Sequence, residues 1–86
     1  MASVEEVKAH VAASVDGTQR AVSGMQQVTD QLDEALARLR LTAMGSVQPT
    51  VLTAISQLEQ AKSRIDEAAT LARAAMDSAD QYRSTA

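Results

Sequence analysis

The residues best suited to chemistry are few, and their spacing works against it. His10 is the one histidine, there is no cysteine, and the side chains one helical turn from His10 are Glu6 and Ser14. A Glu6/His10 pair offers two ligands where a closed zinc site takes four, so it reads as an exposed i,i+4 pair. Asp30, Asp33 and Glu34, then Asp66 and Glu67, resemble the raw material of a di-iron bundle. That centre requires Glu-x-x-His on two helices, and no Glu-x-x-His occurs. Serines are plentiful, but no Gly-x-Ser-x-Gly elbow presents one to the single histidine. The stretch GSVQPT, residues 45 to 50, lacks the lysine and second glycine of a phosphate-binding loop. No catalytic, cofactor-binding or metal-binding residue is therefore assigned, and the chain is expected not to be an enzyme.

Charge excludes further classes. The chain carries a net charge of −3 with its eight Lys and Arg scattered, so it lacks the basic footprint of a nucleic-acid or anionic-membrane binder. One tyrosine is the only aromatic residue, which leaves little to stack on a base or a flat ligand. The opening MASVEEVKAH has neither a basic n-region nor an apolar h-region, and no window reaches the 18 or so apolar residues of a membrane span. A cytoplasmic protein without stable membrane insertion is expected, with export only by a leaderless route.

The elements that position these side chains are set by apolar spacing. In the first half, Val4, Val11, Thr18, Met25, Leu32 and Leu39 keep a seven-residue register, and Val7, Val15, Val22, Val28, Leu36 and Ala43 are read as the second row. In the second half, Val51, Leu58, Ile65, Ala72 and Ala79 form one row, with Val47, Ile55, Ala68 or Ala69, Met76 and Tyr82 beside it. Ser3-Val4-Glu5-Glu6 reads as a capping box. Arg38 and Arg40 fall near the end of the first helix, where cations suit the macrodipole or form a small docking patch.

Between the stripes lies the turn, read as Ala43, Met44, Gly45 and Pro49. Gly45 would close the first helix with a positive φ, Ser46 would cap the second, and Pro49 would occupy its first turn. The spacing thus predicts a single all-α domain over residues 1–86, an antiparallel two-helix hairpin. Its first helix runs over about 3–42, its turn over about 43–48 and its second helix over about 48–83.

At about 1.5 Å per residue the rod should be some 55–60 Å long. Residues should pair across it where their numbers sum to 92 or 93. Gly17, Ala21 and Gly24 would then approach Ala68, Ala72 and Ala75, making the half away from the bend the softer one.

A chain of 86 residues buries only about 60 % of its unfolded surface, and a lone pair of amphipathic helices leaves apolar width uncovered. Val22, Val28, Leu41, Leu52 and Leu71, beside or off the main seam, are the expected partner-binding residues. A homodimer or a heterodimer with another helical protein would complete a four-helix bundle.

The stripes, the chain length and the bend at Ala43-Met44-Gly45 resemble the WXG-type, ESX-like small helical hairpins of type VII secretion. In that family the turn carries Trp-x-Gly; here the glycine is kept and Ala43 stands where the tryptophan would be. The family's Tyr-x-x-x-Asp/Glu export signal would begin at Tyr82, but Ala86 fills its acidic position. The resemblance implies a secretion substrate, or a targeting or chaperone partner of a larger secreted toxin, paired with a chain that bears the signal. The preference for Ala, and for Arg over Lys, resembles proteins of high-GC actinobacteria. From a different class stands a cytoplasmic coiled-coil adaptor or antitoxin-like dimerisation module with no export role.

Overall fold

The structure, a computed structural model, describes residues 3–45 and 48–85. It contains two helices, α1 over Val4–Gly45 and α2 over Pro49–Thr85, folded back on each other as an antiparallel hairpin. The molecule is a rod of 63 × 20 × 15 Å. Its long dimension is what the 42 residues of α1 reach at about 1.5 Å per residue, so the helix runs the full length. Among the described residues, no helix is long and apolar enough to cross a membrane.

Local signals account for the helix starts. The Glu6 backbone N–H donates to Ser3 Oγ at 3.2 Å, and the Val7 N–H donates to the Ser3 carbonyl at 3.0 Å. Ser3 thereby satisfies donors that α1 cannot pair internally, while Glu5 and Glu6 in the first turn meet the positive end of the dipole. At α2 the Gln48 carbonyl accepts from Val51 and Leu52, so Gln48 holds the cap position and Pro49 is the first helical residue, where its missing N–H is no loss. Ser46, expected as that cap, and Val47, expected in the second stripe, lie outside the described residues.

The turn differs from expectation. Ala43, Met44 and Gly45 are all helical, and among the described residues no glycine has a positive φ. Ala43 is half-buried at a seam position, and Ala and Met favour the helix, so packing against α2 carries α1 one turn further than the glycine suggested. Arg38 and Arg40 consequently lie outside the last turn, which holds no basic residue. Arg40 bonds Glu59 of α2 instead.

The seam follows the seven-residue register with one change of row. Val22, Thr29 and Leu36 are the buried residues of α1, spaced by seven, and Val15 and Ala43 extend the series half-buried. Thr29 takes the place expected for Val28, which is 42 % exposed, because the backbone register fixes which residue turns inward whatever its polarity. On α2 the half-buried row Val51, Leu58, Ile65, Ala72 and Ala79 is as expected, and Ala69 rather than Ala68 is the buried neighbour. Tyr82 is 39 % exposed. Away from the bend, Ser14, Val15 and Thr18 line a cleft of about 160 Å3 with Ala75, Met76 and Ala79, which is the expected pairing.

The glycines do not mark a close approach. A Cβ built on Gly17 or Gly24 meets nothing within 4 Å, because both fall off the seam, two residues beyond the Val15 and Val22 row.

Candidate interaction surface

The heptad places every remaining side chain. In an antiparallel pair, the residues just before the Val22–Thr29–Leu36 row of α1 lie on the same side as those just before the Ile55–Lys62–Ala69 row of α2, and the residues just after the other seam row of each helix share the opposite side. Just before the buried row, α1 reads Val7, Ser14, Ala21, Val28, Ala35 and Thr42, and α2 reads Ala54, Ala61, Ala68, Ala75 and Tyr82. Neither set contains a charge. The opposite side carries Glu5, Gln19, Gln26, Asp33 and Arg40 on α1, with Glu59, Asp66, Arg73 and Asp80 on α2.

Ion pairs settle which side is which. Arg40 Nη2 lies 2.8 Å from Glu59 Oε1, and Lys62 Nζ lies 2.6 Å from Asp33 Oδ1. Both pairs bridge the helices on the charged side. Lys62 occupies a seam position between Ile55 and Ala69, and its stem crosses the seam so that the ammonium reaches water and Asp33. The hydrogen bond to Asp33, and then that carboxylate's charge, hold the Lys62 ammonium above the ordinary lysine value of 10.5.

The expected partner residues do not form one patch. Val22 is 5 % exposed, packed in the seam and unavailable to a second protein, which corrects its assignment. Val28 lies on the uncharged side, and Leu71, 73 % exposed, borders that side on α2. Leu41 is on the outer face of α1, and Leu52 is on the charged side at the same level near the bend. Met44, the most exposed of the large apolar residues described at 84 %, lies one turn beyond Leu41 on α1. Val28 and Leu71 thus belong to the long uncharged side or its border, while Leu41, Met44 and Leu52 stand exposed near the bend. Met44 was expected only as part of the turn; continuing the apolar spacing through Leu41 would have placed it on the helix.

Hydroxyls serve the helices themselves. Thr18, Thr42 and Thr70 each donate to the carbonyl four residues earlier, the back-bonding by which Thr meets its needs in a helix. Among the described residues, no three of His, Asp and Glu gather as metal ligands would. What the arrangement can do is bury apolar area against another helix. No family model, curated protein or solved structure matches the chain.

Proposed function

We propose that this chain is a non-enzymatic binding protein, a helical hairpin whose second layer is another helical protein. One observation carries the reading. The hairpin exposes 6291 Å2, where a compact monomer of its 9.1 kDa mass exposes about 4,900 Å2. Large apolar side chains, Val28, Leu41, Met44, Leu52 and Leu71 among them, stand uncovered on the hairpin, and helices with such faces pack in layers. On the WXG-type resemblance, the covering protein is a larger type VII substrate or toxin, which the hairpin accompanies or targets and which bears the export signal.

The alternative, a cytoplasmic adaptor or antitoxin-like dimerisation module without export, is favoured by one feature. Ala43, Met44 and Gly45 are helical, whereas the resemblance puts its motif in the turn. Affinity-tagged full chain, expressed in its own cells and cross-linked before lysis, tests both. A stoichiometric helical partner, or a second copy, supports the binding role. Recovery in the medium with a signal-bearing partner supports the secretion form of that role. A fully helical chain that remains monomeric and captures no stoichiometric partner overturns it.

A further inference from the structure

We propose that the open end of the hairpin, opposite the bend, holds a small organic carboxylate between Lys8 of α1 and Arg83 of α2. The site lies in the seam rather than on the sides offered to a partner, so it stands or falls independently of the binding role above.

The register sets these two cations against each other. Lys8 stands seven residues before Val15, in the row that continues through Val22, Thr29 and Leu36, and Arg83 stands seven after Met76, in the row of Ile55, Lys62 and Ala69. Val15 and Met76 line one cleft together, and Lys8 and Arg83 line the next, one heptad further from the bend. At that level the seam has no apolar pair to close it. It opens into a cleft of about 580 Å3, lined also by Glu5, Ala9, Ala12, Asp80 and Ser84. Small-molecule sites span about 300–1,000 Å3, so the space suits a ligand of that class.

The charges in the cleft are unevenly satisfied. Lys62, the other seam lysine, has Asp33 beside it, and Arg83 Nη1 lies 3.0 Å from Asp80 Oδ1. Lys8 is half-buried, yet it takes part in none of the ion pairs among the described residues. Asp80 engages one guanidinium nitrogen of Arg83, and the fork retains further N–H donors. An anion between Lys8 and Arg83 would relieve the repulsion of two cations and accept charge-assisted hydrogen bonds from both.

The other lining groups select the kind of anion. Glu5 and Asp80 offset the two cations, so the cleft carries no net charge, and a dianionic phosphate would meet two carboxylates. A carboxylate brings a single charge. Ala9 and Ala12 offer methyl groups to a short carbon chain. Ser84 Oγ donates to the Asp80 carbonyl at 3.0 Å, so the side-chain donors left for the ligand are those of Lys8 and Arg83.

Nuclear magnetic resonance of the full chain, titrated with sodium butyrate against sodium chloride at matched ionic strength, tests this. The Ala9 and Ala12 methyl signals should shift saturably with butyrate alone, with a Kd on the order of 1 mM for two charge-assisted hydrogen bonds. Acetyl-dialanine carries the same group on a peptide end, and the tighter binder of the two names the source as free acid or peptide. Lys8→Gln and Arg83→Gln should each weaken binding by about 10-fold or more. Arg64→Gln, the same loss of charge at an exposed position remote from the cleft, should change it by no more than about 2-fold. Because Lys8→Gln could also loosen the end of the seam, Lys8→Met supplies a variant that extends the apolar row. It should unfold at no lower temperature than the wild type and show no saturable shift. Shifts that fail to saturate, tighter binding of inorganic phosphate than of butyrate, or undiminished binding by Lys8→Met overturns the inference.

Discussion

The ammonium of Lys62 lies 2.6 Å from Asp33 Oδ1 across the hairpin, although Lys62 occupies a position that the seven-residue register turns inward. A lone lysine at such a position fixes register at some expense of apolar contact. Together with Arg40 and Glu59 it defines one side of the rod as the charged one. On the other side, the row from Val7 to Thr42 and the row from Ala54 to Tyr82 hold no charged residue, and Arg38, Arg64 and Leu71 stand at their outer border.

The pair has a definite pH signature. Its folded-state lysine value is raised above the ordinary 10.5 by the hydrogen bond to Asp33 and then by that carboxylate's charge. A raised value means stabilisation that is complete below 10.5 and lost as pH climbs through the folded value. The urea midpoints of wild type and Asp33→Asn should therefore differ by a constant amount from neutral pH up to 10.5 and converge only above it. Convergence already near neutrality would mean that the pair contributes nothing.

Gly17 and Gly24 are helical and have no neighbour that a methyl group would touch. Alanine at either position should therefore gain the helix propensity that glycine lacks, about 0.5–1 kcal/mol each. The two sites, a full seven residues apart and without a shared partner, should be nearly additive. Denaturant unfolding of Gly17→Ala, Gly24→Ala and the double variant measures this. A loss of stability in either single variant would show that the backbones approach there after all.

The hairpin could be read from the chain because its apolar residues repeat every seven positions on both sides of the bend, and this spacing survives whatever individual residues do. Row assignment was harder. Val28 and Thr29 are adjacent, and ranking by hydropathy selects the valine, whereas the strict spacing of Val15, Val22, Leu36 and Ala43 selects the threonine. The same spacing runs through Ile55, Lys62 and Ala69, where the lysine hides it. Once the rows shift, Val22 moves from the partner surface into the seam and the glycines move off it. The uncharged side was equally present in the chain, but it becomes visible only when the register is known to a single residue. Gly45 misled for a different reason: glycine permits a positive φ without requiring one.

Seam and surface should separate sharply on mutation. Leu36, 2 % exposed, should lose about 2–5 kcal/mol on conversion to alanine, a large share of what one small interface provides. Val22→Ala removes two buried methyl(ene) groups and should lose about 1.5 kcal/mol. Leu41→Ala, on the outer face at 70 % exposure, should stay within about 0.5 kcal/mol of wild type. Helicity followed by circular dichroism through a urea titration ranks the three. Equal effects of Val22→Ala and Leu41→Ala would overturn the register.

Thr29 offers the most discriminating substitution, because it is a polar residue in a row otherwise set by Val22 and Leu36. At 9 % exposure the residue is largely enclosed, while the positions seven residues to either side contribute only methyl groups. Valine has nearly the same shape and keeps the branch at Cβ, so it should enter the seam without repacking. The change should raise stability by about 1 kcal/mol, which for a chain of this size corresponds to roughly 4–8 °C in the thermal midpoint. A lowered midpoint would mean that the hydroxyl holds a bond worth more than the apolar contact, and that the seam tolerates Thr29 for the sake of that bond. A raised midpoint would show that an apolar side chain is preferred at this level of the seam and that the packed row runs unbroken from Val15 to Ala43.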